Sequence, residues 1–167
     1  MIEFEKPNIT KIDENKIHYG CPIAEEELGR RYRLNLTNRP FWLNNEFVFL
    51  GEIPENKSAD IDDTALVHKT NEGIFIITGC SHSGIINIIN YAKQVCKEGR
   101  ILGVLGGFHF LKKSEEELEE ICSLMLKSGV NPEYPLYPCH CCDLKSKIIM
   151  SKFFNVQEVC TGDVLNC

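Results

Sequence analysis

The amino-acid sequence predicts an α/β fold built on a mixed β-sheet, and three observations lead to that prediction. Strand-like apolar runs alternate with helical segments from Thr64 to the C-terminus. The first two runs, 64–70 and 73–79, are separated by Asn-Glu-Gly, a turn signal between strands. Each later strand is separated from the next by a helix, as in parallel βαβ units. The predicted order from Thr64 is therefore β-β-α-β-α-β-α-β.

Each later element carries its own signal. GIINIINYAKQVCK has apolar residues at helical spacing, and ILGVLGG is a short apolar run typical of a strand buried on both faces. Ser114 and Glu117 form a capping box that opens the next helix. YPLYP is strand-like, DLKSKIIMSKFF is helical, and VQEVC is predicted as a final short strand.

The first 50 residues are less regular. EFEKPNITKI and KIHYG suggest short strands, AEEELGRRYRL a short helix, and NEFVFLGEIP a strand broken by Pro54. No internal repeat or linker composition divides the chain. We therefore predict a single domain over 1–167, with an irregular, β-rich part (1–50) and a βα core (51–167) that carries the functional motifs.

Composition excludes several classes of protein. The 167 residues have 43% hydrophobic and 25% charged content, as in an ordinary globular protein. The chain has no run of about 20 apolar residues and begins with a polar segment, so we expect a cytoplasmic protein without membrane association. The net charge of -6 and the lack of a long basic run argue against a nucleic-acid partner.

The nine cysteines indicate chemistry rather than a disulfide framework, because a cytoplasmic protein meets a reducing environment. Four of them stand alone in apolar or helical contexts and are predicted to be buried free thiols: Cys21, Cys96, Cys122 and Cys160. The others form two clusters with histidine. Cys80 lies two residues before His82, and three cysteines surround His140, namely Cys139, Cys141 and Cys142.

Three histidines follow three successive predicted strands. His82, His109 and His140 are 27 and 31 residues apart, close to the length of one βαβ step. Ligands of open parallel sheets bind outside the carboxyl ends of the strands, so we expect these histidines to share one edge. Imidazole is a common ligand of zinc and also suits iron and nickel. The sequence therefore predicts a metal site that activates water.

Other interpretations of these residues stay open. Each histidine could be a packed or solvent-facing side chain, as we expect for His18 and His68. The Cys-His-Cys-Cys run at 139–142 could form a structural zinc site, although it lacks a C-x-x-C spacing. Cys80 could be a thiolate nucleophile at a helix N-terminus. Asp63 belongs to an acidic turn that is either solvated or close to the metal.

TGCSHSGIINII, VLGGFHF and YPCHC, in that order, resemble the metallo-β-lactamase superfamily. They are most similar to the branch of the dihydropterin-ribofuranosyl-aminobenzene-phosphate synthases. GEIP and DDTALVHKT upstream match the same branch, so the resemblance extends from about Cys21 to the C-terminus.

The resemblance implies an αββα sandwich with a dinuclear metal site at one edge and hydrolase-like chemistry on a phosphorylated or ester-type substrate. It implies a divalent metal, zinc before iron or manganese, held by His82, His140 and His109, the last as ligand or substrate contact. The remaining residues implied as ligands, or as groups that orient a ligand, are Cys80, Asp63 and Cys139.

The sequence departs from the superfamily in one main respect, because H-x-H-x-D-H is absent. We therefore expect the chain to correspond to the second half of a family member, which is half of the sandwich. CHCCD also replaces the usual CHCTG. We expect an incomplete metal site, and pairing with a second copy or with a separate N-terminal half. Whether the chain is an enzyme stays open: it is a metal-dependent hydrolase completed by a partner, or a non-catalytic remnant that serves as a binding or assembly module.

Overall fold

The structure is a computed structural model that describes residues 37–54 and 63–165. The described residues form one mixed sheet whose strands are β1 (Phe41–Trp42), β2 (Phe47–Phe49), β3 (Ala65–Lys69), β4 (Ile74–Thr78), β5 (Ile101–Gly106), β6 (Pro135–Pro138) and β7 (Asn155–Val156). The helices of the described residues are α1 (Ile85–Cys96), α2 (Glu115–Lys127) and α3 (Leu144–Met150). The predictions for residues 1–36 lie outside the described ranges.

The strands follow one another across the sheet in chain order. Neighbouring strands from β1 to β4 pair antiparallel, and those from β4 to β7 pair parallel. The change occurs at β4, because the chain turns directly from β3 into β4 but reaches each later strand through a helix that returns it to the same end of the sheet. The predicted α/β class, the mixed sheet and the element order from Thr64 are confirmed.

The apolar faces of helices α1 and α2 are buried in the hydrophobic core, as their apolar spacing predicts. The buried face of α1 consists of Ile85, Ile88, Ile89, Ala92 and Cys96. The capping box at α2 is present: the Ser114 hydroxyl accepts from the Glu117 N–H, and the Glu117 carboxylate accepts from the Ser114 N–H. Strand β5 is almost wholly buried, as expected for a central strand covered on two faces.

Several predicted details are wrong. Cys160 is exposed rather than buried, because it lies in a turn after β7 and not in an apolar element. Helix α3 ends at Met150, so the last four residues of the predicted helix are not helical. Strand β7 is Asn155–Val156, so four of the five residues of the predicted strand VQEVC lie outside it. The short strand β1 had no clear signal in the sequence.

The two other described solitary cysteines are buried, as predicted. Cys96 and Cys122 pack in the core, and burial raises the pKa of each thiol, that of Cys122 to about 11. Cys21 lies outside the described residues. The described residues from Pro40 onward belong to one compact unit, while one domain over 1–167 stays a prediction. None of the described helices has the length and apolar content that a membrane span requires.

Candidate metal centre

Three loops meet at the carboxyl ends of β4, β5 and β6. We name them by their strands: the β4 loop (79–84), the β5 loop (107–114) and the β6 loop (139–143). They carry His82, His109 and His140, and all three side chains are exposed. Because β4, β5 and β6 are parallel neighbours, their loops lie at one edge of the sheet, where ligands of such sheets bind.

Hydrogen bonds between loops fix this edge. The Gly107 N–H donates to the Gly79 carbonyl at 2.7 Å and joins the β5 loop to the β4 loop. The Phe110 and Leu111 N–H groups donate to the Cys141 carbonyl at 2.8 and 3.1 Å and join the β5 loop to the β6 loop. The three loops are therefore held together by backbone groups before any side chain of the site is considered.

Each loop also contains a non-glycine residue at positive φ. The φ angles are 60° at Ser81, 55° at His109 and 59° at Cys141. Such residues are uncommon and cost on the order of 1 kcal/mol or more, and they are concentrated at functional sites. The conformation of all three loops is consistent with a site built where they meet.

Two sets of three potential metal ligands lie in this edge, each with its donor atoms within 4.8 Å of one another. One set is Cys80, His82 and His109, in which the Cys80 Sγ is 3.7 Å from the His109 Nδ1. The other is Cys80, His140 and Cys141, in which the two Sγ atoms are 3.0 Å apart. Cys80 belongs to both sets and is therefore the centre of the arrangement.

The donors fit a divalent metal ion. Zinc–sulfur and zinc–nitrogen bonds of about 2.3 and 2.0 Å place neighbouring ligands of a tetrahedral site roughly 3.5 Å apart. The 3.7 Å between the Cys80 Sγ and the His109 Nδ1 is close to that value. The His82 and His109 rings meet edge to face with centroids 4.9 Å apart, so their nitrogens can approach a common ion.

Electrostatics keep Cys80 protonated when no cation is present. Its hydrogen bond to Cys141, then burial and the nearby Cys141, Asp63 and Cys142 groups, raise the pKa of the Cys80 thiol to about 11. Burial likewise raises the pKa of Cys142. A bound metal ion reverses this preference, because a coordinating thiol loses its proton. Metal binding at Cys80 is therefore expected to release a proton.

The predicted ligands do not form a single cluster. His82 and His109 lie in one set and His140 in the other, and among the described residues no set holds all three imidazoles. Asp63 is buried and joins neither set, but its carboxylate accepts from the Ser83 N–H at 2.5 Å. It therefore holds the β4 loop in place.

Cys139 also lies outside both sets. Its thiol donates to the carbonyl of Tyr137, in the preceding strand β6, at 3.4 Å. Of the three neighbouring cysteines, the sequence analysis named Cys139 as the possible ligand, whereas in the structure Cys141 is the one that belongs to a candidate ligand set. The run Cys-His-Cys-Cys marked the segment, but it did not show that the Cys141 Sγ lies 3.0 Å from the Cys80 Sγ while Cys142 packs against the hydrophobic core.

A pocket of about 170 Å³ adjoins the first ligand set. Its wall includes His82, His109 and Lys113 beside the apolar side chains of Phe108 and Ile121. Lys113 was not identified from the sequence. The available signal was its position directly before Ser114, which caps the helix that follows the candidate strand end at His109. The pocket thus combines candidate metal ligands, a cation and an apolar wall.

A solved structure resembles the chain in both fold and sequence. It is the crystal structure of a metal-dependent hydrolase of the β-lactamase superfamily, with a TM-score of 0.69 and 28% identity. The match covers 80% of this chain and 58% of that chain. The chain resembles the metallo-β-lactamase superfamily. The resemblance predicted from GCSH, GGFH and CHC is therefore confirmed.

Two curated relatives come from Methanocaldococcus jannaschii, whereas no family model matches the chain. The first is an uncharacterized protein that is 26% identical over 144 residues, and the match covers 78% of this chain and 54% of the relative. The second is 7,8-dihydropterin-6-methyl-4-(β-D-ribofuranosyl)-aminobenzene-5′-phosphate synthase, 26% identical over 93 residues, or 56% of this chain and 31% of the relative. The chain thus spans about half of the first relative and a third of the second.

Proposed function

We propose that the edge formed by the β4, β5 and β6 loops binds a divalent metal ion and supports hydrolysis of a phosphorylated or ester-type substrate. The observation that carries the proposal is the position of Cys80 in two ligand sets drawn from three consecutive parallel strand ends. The resemblance to a metal-dependent hydrolase gives independent support.

Zinc is the metal that the donor types favour. Both sets consist of imidazole nitrogen and thiol sulfur, which suit zinc, whereas manganese prefers oxygen ligands and iron is the second choice. The metal, when bound, polarises the substrate and lowers the pKa of a bound water. One ion would be held by His82, His109 and Cys80. A second ion would be held by His140, Cys141 and the same Cys80.

An anionic substrate fits the pocket beside the first ligand set. Lys113 lies in the pocket wall with His82 and His109. The N-terminus of α1 also reaches the pocket at Gly84, where no side chain caps the helix and the first turn has no acidic residue. Its free N–H groups favour an anion such as a phosphate. We infer that Lys113 and this helix terminus orient the phosphate while apolar residues exclude water.

We further propose that a second polypeptide completes the site, either a second copy or a separate N-terminal half. Each ligand set has three donors and the two share one thiol, which leaves two ions short of ligands. Large apolar side chains are exposed beside the β6 loop, where a partner could pack: Leu111, Leu144 and Ile148. A monodisperse monomer in light scattering at micromolar concentration would count against self-pairing.

The second candidate function is a non-catalytic binding or assembly module that keeps the fold and the metal. The shared thiol favours it, because a site with too few ligands holds a metal without the fixed geometry that turnover needs. This alternative differs from the first in one measurable property, which is turnover by the metal-loaded protein.

Hydrolysis assays decide between the two. The zinc-loaded chain is assayed with p-nitrophenyl phosphate and p-nitrophenyl acetate, alone and with a candidate N-terminal half. The hydrolase proposal predicts turnover that is lost in His82→Ala. It also predicts that the KM for the phosphate ester rises about tenfold in Lys113→Ala, as expected for one lost charge contact of about 1.4 kcal/mol. The control Lys127→Ala should leave this KM unchanged. Stable metal binding without turnover in any combination would support the binding module.

A further inference from the structure

The sulfur atoms of Cys80 and Cys141 are in contact across two loops. They belong to residues 61 positions apart, in the β4 and β6 loops, and their Sγ atoms are 3.0 Å apart. A disulfide bond needs about 2.05 Å, so the sulfurs must approach by only about 1 Å. The two residues are only partly buried, so a small oxidant reaches them from solvent.

The neighbouring cysteines are directed elsewhere. The Cys139 thiol donates to the Tyr137 carbonyl, and Cys142 packs against the hydrophobic core. Cys96 and Cys122 are buried in that core. Among the described cysteines, Cys80 and Cys141 therefore form the pair whose sulfurs face each other in an accessible position.

We propose that Cys80 and Cys141 form a reversible disulfide that removes their sulfurs from the candidate metal site. Cys80 belongs to both ligand sets and Cys141 to one, so oxidation of this pair leaves the first set with His82 and His109 and the second with His140 alone. The consequence for metal binding rests on the proposed function. The disulfide itself rests only on the position of the two sulfurs.

The oxidant is a low-molecular-weight disulfide. The Cys141 sulfur, which accepts the hydrogen bond from Cys80, attacks one sulfur of that molecule; its disulfide bond breaks, and one thiol leaves with the Cys141 proton. The Cys80 sulfur then attacks the Cys141 sulfur, and the second thiol leaves with the Cys80 proton. The two protein thiols lose two electrons and two protons in total, and the two released thiols carry them away.

The test uses the metal-free full chain and oxidised glutathione. After alkylation and proteolysis without reductant, mass spectrometry is expected to find the Cys80 and Cys141 peptides joined, and dithiothreitol should separate them. Cys80→Ser and Cys141→Ser should each abolish the joined peptide, whereas Cys142→Ala and Cys160→Ser should retain it. Joined peptides that contain Cys142 or Cys139 in place of this pair, or glutathione adducts that never resolve, would overturn the proposal.

A second arm separates the disulfide from the metal site. With zinc at 100 times its dissociation constant, about 1% of the chain is metal-free, so disulfide formation should slow about 100-fold. An unchanged rate with zinc bound would overturn the claim that the disulfide and the metal compete for the same sulfurs. If the chain binds no zinc and the disulfide still forms, the proposed function fails while the disulfide assignment is supported.

Discussion

Gly107 lies directly against the imidazole ring of His140. A β-carbon placed on residue 107 would stand 2.6 Å from the His140 Nε2 and 2.8 Å from its Cε1, closer than real contacts allow. The absence of a side chain at Gly107 therefore lets His140 lie against the backbone of the β5 loop. This contact connects the GGFH and CHC motifs, which are separate in sequence.

Gly107→Ala should therefore weaken metal binding, and because the added β-carbon would also stand 2.9 Å from the His140 carbonyl, it should shift the β6 loop as well. The methyl group displaces the His140 ring, and the loss of one ligand from its set is expected to lower zinc affinity 10- to 100-fold, as measured by competition with a chelator. The matched control is Gly79→Ala, in the adjacent β4 loop, where a β-carbon meets no atom within 4 Å. Equal affinities in the two variants would show that His140 does not bind the metal.

Asp63 should contribute to both stability and metal affinity. Asp63→Ala removes a buried carboxylate that accepts the Ser83 N–H, so the free energy of unfolding should fall by about 1.5–3 kcal/mol. Zinc affinity should fall too, because the β4 loop carries Cys80 and His82. Asp163→Ala removes a similar bond to the Cys160 N–H on an exposed turn and should leave zinc affinity unchanged. Denaturant unfolding and zinc titration measure the two quantities.

The raised pKa of Cys122 predicts a loss of stability at high pH. Burial raises its pKa from 9.0 to about 11, so between these values the unfolded chain releases a proton that the folded chain retains. The stabilising contribution is complete below pH 9 and is lost as pH rises through 11; its upper limit is roughly 2.7 kcal/mol, which corresponds to two pKa units. Between pH 8 and pH 10.5, the free energy of unfolding measured with denaturant should decrease less in Cys122→Ala than in the wild type. An identical pH dependence in the variant and the wild type would contradict the assignment.

The element order could be predicted from the sequence because each element has a local signal. Alternating strands and helices, the Ser114 capping box and the apolar spacing of α1 all depend on residues close together in the chain. The meeting of His82, His109 and His140 at one edge also followed from the sequence, since neighbouring parallel strands end on the same side of the sheet whatever the side-chain details.

The grouping of the ligands could not be predicted in the same way. It depends on loop conformation, and the positive φ of His109 and Cys141 directs side chains in a manner that no local pattern encodes. The separation of Cys141, which faces Cys80, from Cys142, which packs on the core, arises from the same loop geometry. Cys160 was assigned wrongly because an apolar neighbour in sequence does not specify burial in a turn.

Metal content of the purified chain, measured by mass spectrometry after reconstitution with zinc under reducing conditions, tests the central claim most directly. The account predicts at least about one ion per chain, which is lost in the His82→Ala, His140→Ala double variant. The control His68→Gln should retain the metal, because His68 lies in β3, where its ring stacks on Phe47 of β2. A wild-type chain that binds no metal, or a double variant that keeps its full metal content, would contradict the claim that the three loops form a metal centre.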